Sequence, residues 1–134
     1  MTDITQAHIL LVDDDKFLLD MYAMKFTQRG FVVQASLSAN DALECLNNGF
    51  KPDAIVFDIT MPEHDGFWFL QALAKEDIAK NCKKIALTNQ SSDAEKSKAS
   101  ELGADLYIVK ATMIPSEVVD AVTKVIAGEK VASA

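Results

Sequence analysis

Several side chains able to do chemistry fall where apolar runs of this sequence end. Ile9-Leu10-Leu11-Val12 runs into Asp13-Asp14-Asp15, and Ala54-Ile55-Val56-Phe57 ends at Asp58. Residues 84–88 close on Thr88, and residues 106–109 stop just before Lys110. In open α/β sheets, function collects at the carboxyl ends of strands. If these runs are strands and the first and third are neighbours, three carboxylates share one small pocket. Like charges at that range raise each other's pKa unless a cation stands between them. A hard divalent ion bound through oxygen removes the conflict. Mg²⁺ fits best, because it uses one or two carboxylates and leaves places for waters and phosphate oxygens. Lys110 brings a mobile positive charge and Thr88 a hydroxyl donor. Carboxylate, cation, lysine and hydroxyl together suit phosphoryl transfer to an aspartate. Asp13 and Asp14 are taken as the pocket pair because they directly follow the apolar run. Asp15 then starts the next helix, where negative charge suits the helix dipole.

Each of these residues alone is ordinary. An isolated aspartate is commonly a helix cap, a threonine a strand residue, a lysine part of a solvated surface. The argument therefore depends on the elements that bring them together. A helical pattern spans residues 16–29 and stops at Gly30, and residues 31–35 read as a second strand. Ser38 can cap a helix to about Asn47, closed by Asn48-Gly49. Residues 62–66 form a loop, and a third helix runs from Phe67 to about Lys75. A fourth helix begins at Ser92 or Asp93 and ends near Leu102-Gly103. Pro115-Ser116-Glu117 opens a last helix with proline and acid in its first turn, and Val118, Val119, Val122, Val125 and Ile126 form its apolar stripe. Strand-helix alternation implies one α/β domain over residues 1–134, with a core of about 8–127, a short fraying tail, and a parallel sheet covered by helices on both faces.

Composition narrows the function. The chain has 134 residues, 49% of them apolar, which is enough for a core without disulfides or a structural metal. Its net charge of −7, with no basic stripe, argues against direct nucleic-acid binding and against anionic lipid. Cys45 and Cys82 lack disulfide or zinc spacing. Residues 1–6 lack the basic start and apolar stretch of a signal peptide, and no run is long enough to span a membrane. A cytoplasmic protein without membrane insertion is expected. His8 and His64 lack ligand-spaced partners and are expected to face solvent. Phe67-Trp68-Phe69-Leu70 is expected to be mostly core.

The chain resembles response-regulator receiver domains, including single-domain chemotaxis regulators, over about Ile9 to Ile126. The matching stretches are Ile9 to Asp14, Asp58-Ile59-Thr60-Met61-Pro62 with Asp65-Gly66, Ala86-Leu87-Thr88, and Gly103 to Lys110. The resemblance implies a doubly wound, flavodoxin-like (βα)5 fold with strand order 2-1-3-4-5. It implies that Asp58 is the phosphoacceptor, that Asp14 and Asp58 bind Mg²⁺ by side chain and Thr60 by its carbonyl, and that Asp13 acts through a metal-bound water. Lys110 would pair with a phosphoryl oxygen. Thr88 would swing to the phosphoryl group and Tyr107 would follow inward. Leu18, in the first turn of the first helix, would meet the helix carrying a phosphohistidine. The implied donor is a histidine kinase or histidine phosphotransfer protein, and output would pass to a separate effector protein.

Departures from the family's pattern are visible. Receivers usually place proline after the lysine; here Ala111 follows, and a trans bond is expected because a cis bond before a non-proline residue costs ~2.5–4 kcal/mol. Asn89 follows the switch threonine where a small residue is common, and Thr60 and Gln90 hold positions that tune hydrolysis in this family. Two rival readings stand beside the receiver. A small Mg²⁺-dependent phosphatase with an aspartyl-phosphate intermediate would carry an acid where Thr60 stands, and a lid domain. A docking module that no longer takes phosphate would not need the full Asp, Thr and Lys set.

Overall fold

The computed structural model describes residues 7–89, 92–129 and 131. Gln90, the N-terminal residues 1–6 and the end of the tail lie outside the described residues. The elements alternate: β1 (His8–Val12), α1 (Lys16–Gln28), β2 (Val32–Ser36), α2 (Ala39–Asn47), β3 (Ala54–Phe57), α3 (Gly66–Glu76), β4 (Lys83–Thr88), α4 (Asp93–Glu101), β5 (Leu106–Val109) and α5 (Pro115–Ile126). The strands form one parallel sheet in the order β2-β1-β3-β4-β5. The fold is therefore the expected flavodoxin-like one.

The central strand β3 and the edge strand β5 are buried at every position, as a sheet covered on both faces requires. Alternate residues feed two separate cores. Leu11, Val56, Leu87 and Ile108 meet Leu19, Tyr22 and Phe26 of α1 and Val118 and Val122 of α5. Val12, Phe57, Ala86, Tyr107 and Val109 meet residues of α2, α3 and α4 on the other face. Phe26 is fully buried, and burial of such a side chain contributes roughly 1.5–3 kcal/mol.

Local chemistry sets the element ends. Asp15 caps α1, its Oδ1 accepting from the Leu18 N–H at 3.2 Å. Ser38 caps α2, accepting from Asp41 N–H at 3.1 Å, and Ser92 caps α4, accepting from Glu95 N–H at 3.3 Å. At α5 the Ile114 N–H donates to Glu117 Oε1 at 2.9 Å. Several boundaries differ from the sequence expectation. Phe31 precedes β2 and folds back on the end of α1: its N–H donates to Phe26 O, and the two rings meet edge to face at 5.6 Å. Asp65 caps α3, accepting from Trp68 N–H at 2.8 Å, so that helix starts at Gly66. A 3₁₀ turn over Lys110–Thr112 follows β5. There is no cis peptide bond among the described residues.

Phe69 and Leu70 are buried while Phe67 and Trp68 are half-buried. His64 is not simply solvent-facing. It is half-buried and stacks on Trp68, with ring centroids 3.7 Å apart. His8 is exposed as expected, stacked on Phe50 at 5.7 Å. Cys45 and Cys82 are free thiols, and burial pushes the Cys82 thiol up to about 12. Among the described residues no helix is long and apolar enough to cross a membrane.

Candidate functional site

Parallel pairing of β1 with β3 sets Val12 opposite Phe57. The next residue of each strand is therefore an aspartate, Asp13 and Asp58, side by side at the carboxyl edge. The Asp58 N–H donates to Val12 O at 2.9 Å and the Asp13 N–H to Ser36 O at 3.1 Å, so both stay in the sheet ladder. Strand parity turns their side chains toward the α1 face. There they share a small void with Leu11, Leu19, Tyr22 and Leu87. The loop after β3 folds back tightly over Asp58. A Cβ at Gly66 would lie 2.7 Å from Asp58 O and 2.8 Å from Ile59 Cα, so only glycine fits.

Lys110 leaves β5 and reaches across. Its Nζ donates to Asp13 Oδ2 at 2.8 Å and to Asp58 Oδ2 at 3.1 Å, and the lysine side chain is only 8% exposed. The lysine thus stands as the counter-ion of two buried carboxylates. The remaining oxygens are also engaged: Asp13 Oδ1 accepts from Asp15 N–H at 2.9 Å, and Asp58 Oδ1 from Thr60 N–H at 3.2 Å. Burial pushes the Asp58 carboxyl above the ordinary carboxylate range; Lys110 and the Thr60 N–H oppose this, Asp13 adds to it, and burial wins. For Lys110 burial works against the charge, but the hydrogen bond to Asp13 and the charges of Asp58 and Asp13 outweigh it, so its pKa is raised.

One oxygen each from Asp13, Asp14 and Asp58 lies within 4.8 Å of the others, a spacing that suits a single cation. Asp13 and Asp58 are buried and Asp14 is exposed, which gives the cluster one side open to water. The all-oxygen donor set fits a hard divalent ion that keeps part of its hydration shell. The side chain of Asp15, the third aspartate of the run, is used as a helix cap and lies outside this cluster, and only its backbone N–H serves Asp13.

The other predicted residues separate by face. Thr88 and Tyr107 are both buried, and Tyr107 belongs to the core on the α3–α4 side of the sheet. Burial raises the Tyr107 phenol, with the Glu95 charge adding to it. Thr60 is exposed beside the acidic cluster. Leu18 is half-buried and packs on the α1-side core, whereas its neighbour Phe17 is 80% exposed. Tyr22, beneath the acids, was not singled out from the sequence. The spacing Leu19, Tyr22, Phe26 carries the signal, since steps of three and four keep residues on one inward face.

A doubly wound parallel sheet with a carboxylate triad and a buried lysine at its carboxyl edge defines an α/β domain built around an acidic pocket. The family model described as the response regulator receiver domain matches residues 9–123, and the chain belongs to that family. It is 30% identical over 103 residues to the response regulator SaeR of Staphylococcus aureus (strain USA300), covering 77% of this chain and 43% of SaeR. The chain thus spans less than half the length of that relative. It is 27% identical to a solved CheY-like receiver domain protein from Methanospirillum hungatei JF-1, with a TM-score of 0.83 and coverage of 92% of this chain and 95% of the other. Against the chemotaxis protein CheY4 of Vibrio cholerae the identity is 25% and the TM-score 0.83, covering 90% and 98% of the two chains.

Proposed function

We propose that the domain is a signalling switch phosphorylated on Asp58 by a histidine kinase or histidine phosphotransfer protein. The observation that carries this reading is the Asp13–Lys110–Asp58 arrangement: a strand-end carboxylate with one neighbouring acid, one buried ammonium and an open third acid. In the transfer a carboxylate oxygen of Asp58 forms a bond to phosphorus. The phosphorus–nitrogen bond of the donor histidine breaks, and its electron pair stays on the imidazole. Lys110 is placed to pair with the arriving phosphoryl oxygen in exchange for its bond to Asp58. Asp14 and Asp58, with the Thr60 carbonyl, would hold Mg²⁺ directly, and Asp13 would act through a water. The ion supplies neutralisation of phosphoryl charge when bound. Thr88 would bond to the phosphoryl group and Tyr107 would report it to the far face, a population shift between two packings.

Residues 8–127 are read as one receiver unit that signals through an effector. The donor is read as docking beside the first turn of α1, where Leu18 and the exposed Phe17 flank the acids. The test is incubation with acetyl phosphate and Mg²⁺, read by intact mass. One added phosphoryl group, labile to base and lost in Asp58→Asn, supports the reading. Labelling that persists in that variant removes Asp58 as the acceptor.

A further inference from the structure

Tyr22 is nearly fully buried on the inner face of α1, one turn below Leu18. It lines, with Asp13 and Asp58, a small, partly open void of about 10 Å³ beside the site. The rest of the void's side-chain lining is apolar, including Leu11, Leu19 and Leu87. In this otherwise apolar lining the phenol adds a polar end, which usually takes a hydrogen-bond partner. Burial raises the Tyr22 phenol, and the charges of Lys110 and Asp13 also act on it, so it lies in the field of the site. A void of this size is close to the minimum that holds one water, and such a water needs two to four polar partners. Asp13, Asp58 and the Tyr22 hydroxyl offer three.

We propose that Tyr22 is a positioning residue of the acceptor site, its hydroxyl acting through a single bound water on the carboxylates of Asp13 and Asp58. The inference rests on the reading of Asp58 as acceptor. A water held from below takes up carboxylate lone pairs that face away from the open side. Asp13 and Asp58 then keep their remaining oxygens turned toward Lys110 and the cation position. Partners behind metal-binding carboxylates commonly matter tenfold or more in affinity, because they fix ligand orientation.

The first test needs no variant. A high-resolution crystal structure of the unmodified protein should show an ordered water within hydrogen-bond distance of Tyr22 Oη and of an Asp13 or Asp58 oxygen. A dry void overturns the proposal. The second compares Tyr22→Phe with the parent by calorimetric Mg²⁺ titration. The ring is kept, so the thermal midpoint should stay within a few degrees while Mg²⁺ binds about tenfold more weakly. Unchanged Mg²⁺ affinity in a folded Tyr22→Phe protein overturns the proposal and leaves Tyr22 a packing residue. Both readouts stand apart from phosphorylation. Failure of Asp58 to take a phosphoryl group would strike the parent reading while the water and the Mg²⁺ affinity still judge Tyr22.

Discussion

Replacing Lys110 with methionine isolates the electrostatics of the site. Methionine keeps most of the side chain's length and removes the ammonium. Asp13 and Asp58, each 5% exposed, are then left without their cation. Breaking a buried pair by removing one partner costs ~3–5 kcal/mol. The carboxylates can answer by taking up protons, so the lower end, about 3 kcal/mol, applies at neutral pH. For a domain of this size that is a fall in midpoint of roughly 10 °C in the presence of chelator. Mg²⁺ should reverse most of it. In the parent protein the ammonium already neutralises the acids that a metal would bind, and in Lys110→Met that competition is gone. At a hundred times its Kd a ligand stabilises by about 2.7 kcal/mol, close to the loss. Thermal unfolding followed by circular dichroism, with EDTA and with millimolar MgCl₂, measures both halves. The Mg²⁺-dependent rise in midpoint should be distinctly larger in Lys110→Met than in the parent. Equal rises would mean that the ammonium does not compete with the cation, and the argument from shared carboxylates would fail.

Gly66→Ala should cost ~1–3 kcal/mol in urea unfolding, because its Cβ meets backbone at 2.7 and 2.8 Å, and an unchanged midpoint would show that the loop over Asp58 yields freely. Asp58→Asn should stabilise the metal-free protein at neutral pH. A carboxyl with a raised folded pKa contributes stability at low pH and loses it as pH rises through that pKa, so the advantage of the amide should grow above the ordinary carboxylate range and vanish in acid; a less stable variant at pH 7 in EDTA contradicts this. Leu18→Asp should slow transfer from a phosphorylated donor protein while acetyl phosphate still labels Asp58. Because Leu18 also touches the core, Phe17→Ala is the cleaner variant: it should slow protein-to-protein transfer severalfold with no loss of stability, and an unchanged transfer rate would move the docking surface elsewhere.

Strand identity was readable because parallel strands covered on both faces are unbroken apolar runs, whereas sheet order followed only from the family resemblance. Ile9 to Val12, Ala54 to Phe57 and Leu106 to Val109 could hardly be anything else. The helix start at Ser38 is plain in the sequence and that of α4 is legible to within a residue, at Ser92 or Asp93, whereas Asp65 caps α3 from within what reads as a loop. The meeting of Asp13, Asp58 and Lys110 was legible because each stands at a strand end, and chain order together with family resemblance indicated which ends meet. Two things could not be read along the chain. The first is the state of Lys110, since whether an ammonium is free or held between two acids depends on β1, β3 and β5 ending at one level. The second is what lies beneath the acids. Parity at the strand ends turns Asp13 and Asp58 onto the α1 face, and only the packing of α1 on that face brings Tyr22 under them. Sequence periodicity says that a residue points inward; which inward residues share a void is decided by how helix and sheet meet in three dimensions.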